Sequence, residues 1–267
     1  MRQTWETGFK NHGNGIYTYV TDGRTMFSNI TIVEGEESAV MFDVLHTRAL
    51  TQEFIDEFRK YSDKPIKYWV MSHAHGDHFL GAAAVKDAVM IAHEGVTEQL
   101  RWEQKNPPFE RLQKRLPDCD YSDAIIPIPD ILMQDTLKLD LGNRVVEIRY
   151  MGQCHTKHDL AMFVPDANFA LLADILFYDV VTQSTTGDVD HWMDVLQELI
   201  DSQYTAFVPG HGPICGKEGL REVLDYFVKL KAQAQDVFDG KLALTDEDAS
   251  PLELEYIEKG WLEPARI

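Results

Sequence analysis

Seven residues, Ser72-His73-Ala74-His75-Gly76-Asp77-His78, constrain this chain more than any other stretch. Four groups able to ligate a metal fall within six positions, directly after the apolar run Ile66–Met71 and directly before an Ala-rich one. Imidazole and carboxylate are hydrated groups, and burying them unpaired costs roughly several kcal/mol. A solvated loop could carry two such histidines, but the full spacing with an interposed aspartate points to ligation. In an extended turn His73 and His75 point the same way, because side chains alternate with period two, and Asp77 and His78 fall on the other side. One loop can then serve two metals, which lie roughly 3.5–4 Å apart in two-metal hydrolytic sites.

The loop sits in a chain that reads as one domain of 267 residues with an ordinary apolar share of 44%. Strand-like runs at Gly15–Val20, Met26–Val33 and Ala39–Phe42 are separated by turn signals at Asp22-Gly23 and Glu34-Gly35. Apolar residues at Phe54, Ile55 and Phe58 predict a helix over Leu50–Tyr61, and His78–Lys86 is predicted helical, before a short strand Val89–Ala92. In the second half, Gly142-Asn143 and Pro165–Asn168 mark hairpins joining Leu137–Leu141 to Val145–Met151 and Leu160–Val164 to Phe169–Ala173. Helices at about Asp190–Ile200 and Glu218–Phe238 flank a strand Thr205–Val208. Two similar halves of alternating strands and helices predict two packed sheets with helices outside. Between about Thr97 and Asp130 there is little periodicity, five prolines, and the aromatics Trp102, Phe109 and Tyr121, which predicts an irregular lid-like insertion.

Composition narrows the partners. The formal charge of −19 with no basic cluster argues against nucleic acid. No stretch reaches the ~18 to 20 consecutive apolar residues of a membrane span, and the opening Met-Arg-Gln-Thr-Trp-Glu lacks a signal-peptide core. A cytoplasmic location is expected, or a periplasmic one for a chain that has lost a leader. The partner expected is a small-molecule substrate, and oligomeric state is not encoded legibly. Cys119, Cys154 and Cys215 are an odd, unpaired set, so no disulfide framework or Cys-type zinc site is expected. Cys154, beside His155, reads as small apolar filler.

Two metals need more ligands than one loop supplies, and the other candidates all follow predicted strands. His155 lies in Gly152-Gln153-Cys154-His155-Thr156, Asp174 closes Phe169–Ala173, and His211 lies in Pro209-Gly210-His211-Gly212. Together with the H-x-H-x-D-H loop, this ordered pattern resembles the metallo-β-lactamase superfamily over about residues 15 to 240, including an early strand ending in Asp43. The resemblance implies an α/β fold of the four-layer αββα sandwich type, with the site at one edge between the sheets. It implies that His73, His75 and His155 bind one metal, that Asp77, His78 and His211 bind a second, that Asp174 bridges both, and that Asp43 orients a ligand imidazole. The nitrogen and oxygen donors suit two zinc ions, with iron and manganese also open.

There are departures from the family pattern. His158 stands where a glycine is usual in His155-Thr156-Lys157-His158-Asp159, and it is either a left-handed residue or an extra donor to the site. The bridging position is Asp174 rather than cysteine, and no lysine follows closely to hold a β-lactam carboxylate. Hydroxide generated between two cations would attack a polarised carbonyl, with Asp77 accepting a hydrogen bond from it and Tyr178 a candidate donor to the oxyanion. Phe177, His191 and Trp192, with Trp102 and Phe109 of the 97–130 segment, are the expected substrate-binding residues. Hydrolysis of a lactone, ester, thioester or amide, including a β-lactam, is the expected activity. A phosphodiesterase or nuclease and a mononuclear iron persulfide dioxygenase are the alternatives. The acidic segments Asp246-Glu247-Asp248 and Glu253-Leu254-Glu255 argue against a basic C-terminal glutathione site.

Overall fold

The computed structural model describes residues 5–22, 27–244 and 250–261. The predicted turn residue Gly23, the predicted strand start Met26 and the acidic 246–248 segment lie outside them. Seven strands form the first sheet in chain order: β1 (Gly8–Asn11), β2 (Ile16–Val20), β3 (Ile30–Glu34), β4 (Ala39–Phe42), β5 (Ile66–Val70), β6 (Val89–His93) and β7 (Ile131–Met133). Pairing is antiparallel from β1 to β4 and parallel from β4 to β7. The second sheet runs β12-β11-β10-β9-β8, from β8 (Thr136–Asp140), β9 (Val145–Tyr150), β10 (Leu160–Val164), β11 (Phe169–Phe177) and β12 (Ala206–His211). Only its β11–β12 pair is parallel.

Alternation along these strands explains why so many residues are apolar on both faces. Val33, Val40, Phe42, Val70 and Ile91 of the first sheet pack against Val146, Ile148, Met162, Leu171 and Val208 of the second, which forms the inter-sheet core. Their neighbours Ile32, Met41, Trp69 and Met90 point outward and are covered by Phe54, Ile55 and Phe58 of α1 (Arg48–Phe58). On the far side, Phe163, Ala170 and Leu172 are covered by α5 (Val189–Asp201) and α6 (Lys217–Phe238). Strands buried on both faces read as continuous apolar runs, and the result is helix, sheet, sheet, helix. No helix among the described residues is long and apolar enough to cross a membrane.

Several local expectations are corrected. The stretch predicted as one helix over His78–Lys86 is a single turn, α2 (Gly76–Phe79), followed by a 3₁₀ segment, Leu80–Val85. Gly81 is pressed against α1 there: a Cβ on it would lie 2.2 Å from Thr51 Oγ1 and 2.5 Å from the Leu45 carbonyl oxygen. The first part of the segment predicted irregular is instead two helices, α3 (Thr97–Lys105) and α4 (Phe109–Arg115). Each buries one residue, Leu100 or Leu112, so no apolar periodicity exists to reveal it. Strand β1 was not anticipated, and neither was α7 (Pro251–Glu258), which opens with a Ser250/Glu253 capping box.

Candidate metal centre

Every candidate ligand is delivered from the same end of the two sheets. The loop after β5 carries His73 and His75, and α2 carries Asp77 and His78. The Leu160 N–H donates to the Ser72 carbonyl at 2.9 Å, which ties this loop to the opposite sheet. His155 lies in the β9–β10 connection. There, buried Asp159 accepts the N–H groups of Thr156 and Cys154 at 2.8 and 3.2 Å, and burial pushes its own pKa up to about 7. Asp174 sits in β11, where the pairing with β12 shifts register on either side of Ala173. Ala173 itself is left-handed, with φ of 46°. That bulge turns Asp174 toward β12, close enough that a Cβ on Gly210 would lie 1.9 Å from Asp174 Oδ1. Asn29 fastens the loop bearing His211 by donating its amide to the carbonyls of Pro209 and Gly212 at 3.0 and 2.8 Å.

These elements bring seven side chains into two groups that could each hold a metal ion, His73, His75, His155 and Asp174 in one and Asp77, His78 and His211 in the other. Within each group the donor atoms lie within 4.8 Å of one another. The two carboxylate oxygens of Asp174 face different groups. Its Oδ2 is 3.7 Å from His73 Nε2 and 3.3 Å from His155 Nε2, while its Oδ1 is 3.2 Å from His78 Nε2 and 3.4 Å from His211 Nε2. His73 Nε2, His78 Nε2 and Asp174 Oδ1 are buried without a hydrogen-bond partner. Unpaired buried polar atoms are costly, and these three, one in the His73 group and two facing the His78 group, fit bound cations.

The tautomers agree with ligation. His78 Nδ1 donates to Asp43 Oδ2 at 2.8 Å and His155 Nδ1 to the Gln183 carbonyl at 2.9 Å, so in each ring Nε2 is the nitrogen left to bind a metal. Asp43 is fully buried and left-handed, with φ of 59°, and its other oxygen accepts the Ser72 N–H at 2.7 Å. Burial lowers the pKa of His73, His75 and His155, the last to about 4, so these rings are neutral ligands at ordinary pH. Burial opposes protonation of His211 too, but Asp174 and Asp77 outweigh it and lift its pKa to about 9. Burial likewise opposes ionisation of Asp77, and the neighbouring His78 and His211 hold it below the usual carboxylate range.

Residues 23–211 match the sequence model of the family described as "Metallo-beta-lactamase superfamily", a span that runs through this whole constellation. The chain belongs to the metallo-beta-lactamase superfamily. It is 24% identical over 212 residues to the metallo-beta-lactamase type 2 of Bacillus sp. (strain 170), covering 76% of this chain and 74% of that protein. Among solved structures, a metallo-beta-lactamase from Pontibacter korlensis superposes with a TM-score of 0.65 at 16% identity, over 83% of this chain and 99% of that one. The inverting sec-alkylsulfatase Pisa1 from Pseudomonas sp. superposes with a TM-score of 0.68 at 15% identity, over 97% of this chain but only 47% of its own. The likeness to these structures is one of fold.

Beside the metallo-beta-lactamase constellation lies a cavity of about 830 Å³, lined by His75, Asp77, Asp174 and His211, with Phe177 and Trp102 on its walls. Phe177 stacks on His211 with centroids 5.2 Å apart. Other sequence expectations for the site are corrected. Trp192 is fully buried beneath it, donating Nε1–H to the Ile175 carbonyl at 2.8 Å, and His191 pairs with the Met151 carbonyl under Gly152. Phe109 packs into the core beneath the first sheet rather than into the cavity. The Tyr178 ring rests against Gly219, beside Cys215, and does not line the cavity. His158 is not left-handed and does not join the ligands; it stacks on His93 at 4.8 Å against Gly95. Cys154 is buried, and its Sγ–H donates to the Met151 carbonyl.

Two contributors escaped the sequence reading. The Gln183 carbonyl that orients His155 is main chain and carries no side-chain signal. His46, three residues past Asp43, is 1% exposed, lines the cavity and pairs through Nδ1 with the Tyr121 hydroxyl at 3.0 Å. A lone histidine after a strand offers no pattern to single it out.

Proposed function

We propose that the chain is a dinuclear metal-dependent hydrolase, with zinc the expected metal, that cleaves a carbonyl substrate such as a lactone, ester, thioester or amide. The observation that carries this reading is Asp174, whose two oxygens face two separate ligand groups. His73, His75 and His155 would hold one cation, Asp77, His78 and His211 the other, and Asp174 both. Bound there, two divalent cations supply Lewis acidity and a water acidified toward about neutral pH. The chain's own part is orientation and charge. Asp77 lines the cavity and stays ionised, so its carboxylate can accept a hydrogen bond from the attacking water and fix its direction. Asp43 and the Gln183 carbonyl hold two of the ligand rings in one tautomer, so no reorganisation is needed when charge develops. Phe177 and Trp102 give the cavity apolar walls, and Tyr178, packed against Gly219, stands outside it and is not the oxyanion donor. A screen of the zinc-loaded protein against lactones, thioesters, neutral esters, β-lactams and phosphodiesters tests the reading. Turnover of a carbonyl substrate that is lost on chelation is expected. Turnover of phosphodiesters alone, or one bound iron and no zinc, would overturn it.

A further inference from the structure

We propose that Gln99 of α3 is a positioning residue: it fixes the peptide that aims His75 at its cation, so that closure of α3 and occupation of the His73 group favour one another. This rests on the metal-dependent reading above and adds a regulation of that same site. The first observation is how the carbonyls of the ligand loop are satisfied. The Ser72 carbonyl takes the Leu160 N–H of the opposite sheet, and the His75 carbonyl takes the His78 N–H at 3.0 Å. The Ala74 carbonyl between them takes the Gln99 side-chain amide at 2.8 Å. Ala74 is buried, so an acceptor left there without a donor would be costly. The same amide nitrogen lies 3.0 Å from Glu103 Oε1. A carbonyl and a carboxylate both accept, which settles which end of the amide faces the loop and engages both of its hydrogens.

The second observation is that His75 leans on its main chain more than its neighbours do. His73 Nδ1 has the Ser72 hydroxyl at 3.0 Å, His78 Nδ1 has Asp43, and His155 Nδ1 has the Gln183 carbonyl, all from outside the ligand groups. His75 Nδ1 instead lies 3.0 Å from His155 Nε2, inside its own ligand group. The nitrogen that His75 turns to the centre is thus the one bonded to Cγ, close to the backbone, and a rotation of the Ala74–His75 peptide moves it directly. The carbonyl of that peptide is the one Gln99 holds. α3 stays in place without this contact, because Leu100 is fully buried and Gln104 donates to the Ile126 carbonyl at 2.9 Å, while Gln99 itself is exposed. Gln99 and Trp102 are one turn apart on the same face of α3, and both line the cavity. A substrate resting on Trp102 therefore bears on the helix that aims His75. Linkage is reciprocal: if zinc binds better with Gln99 engaged, bound zinc holds α3 closed by the same factor.

Zinc affinity, read by competition with a chromogenic chelator, and hydrogen exchange of the α3 amides are the test. Gln99→Met keeps the reach of the side chain and removes its donors, and Gln99→Glu keeps its shape but sets an acceptor against the Ala74 carbonyl. Both metal-free variants are expected to melt as folded proteins. In each, one zinc ion is expected to bind about tenfold more weakly, the value of about one hydrogen bond, with the other unchanged. In the unmodified protein, saturating zinc is expected to slow α3 exchange by the same factor of about ten, and in zinc-saturated Gln99→Met that slowing is expected to vanish. Unchanged zinc affinity in both variants would overturn the proposal. So would α3 exchange in the unmodified protein that is indifferent to zinc, a measurement that needs no variant to fold. Absence of zinc uptake by the unmodified protein would instead remove the metal-dependent reading, and the role of Gln99 with it.

Discussion

His155 and His211 both face Asp174, from different ligand groups, with opposite affinities for protons. Burial drives both toward the neutral form, and for His155 it prevails, leaving a pKa of about 4. His211 lies 3.3 Å from Asp77 Oδ2 and 3.4 Å from Asp174 Oδ1, and those carboxylates lift it to about 9. His78, wedged against Asp43 and Asp174, is raised as well despite its burial. In the metal-free protein at neutral pH, the His73 group is therefore unprotonated while the His78 and His211 rings carry protons. A cation must displace those protons to bind the second group. Occupation of the first group is predicted to release essentially no protons at pH 7. Occupation of the second should release about one to two, and its affinity should rise with pH until about 9. Calorimetry in buffers of different ionisation enthalpy counts the protons at each step. Equal proton release at both steps would contradict the assignment of ligands to groups.

At the scale of elements, the connection between β6 and β7 makes the cavity what it is. α3 places Trp102 on the cavity wall with 62% of its surface exposed, while Phe109 opens α4 and packs inward. The two aromatics should therefore behave differently. Trp102→Ala is predicted to raise KM or alter substrate preference at unchanged metal content and melting temperature. Phe109→Ala is predicted to cost about 1–3 kcal/mol of stability through lost packing, with a smaller effect on KM. Steady-state kinetics and thermal melts on both variants check this, and the reverse pattern would contradict the placement. The same elements show what the sequence can and cannot disclose. Strands such as Leu160–Val164 were legible because both faces are buried and every position is apolar. The helices α3 and α4 were not, since each fully buries a single leucine and gives most of its other positions to polar or charged side chains. The ligand loop was legible because its chemistry has no packing explanation. The inward turn of Trp192 and Phe109 was not, nor the pairing of exposed His191 with the Met151 carbonyl, because a ring beside a site can face either way until its neighbours are placed.

Across the whole molecule, neither ligand group belongs to one half of the chain. The first joins His73 and His75, which follow β5 of one sheet, to His155 and Asp174 of the other. The second joins Asp77 and His78 on the first side to His211 at the end of β12. Bound cations would therefore clamp the two sheets at one edge of the sandwich and stabilise the folded state by mass action. The centre of that clamp would be Asp174, which in the proposed dinuclear centre would hold two cations together against a repulsion that is large at short range. Metal content of Asp174→Ala and His211→Ala, measured side by side after identical zinc loading and desalting, tests this most directly. The unmodified chain is predicted to retain about two zinc ions. His211→Ala should retain about one, and Asp174→Ala should lose most of both. Full occupancy in Asp174→Ala, with only the loss of stability expected of a missing loop contact, would contradict the bridge and with it the dinuclear centre.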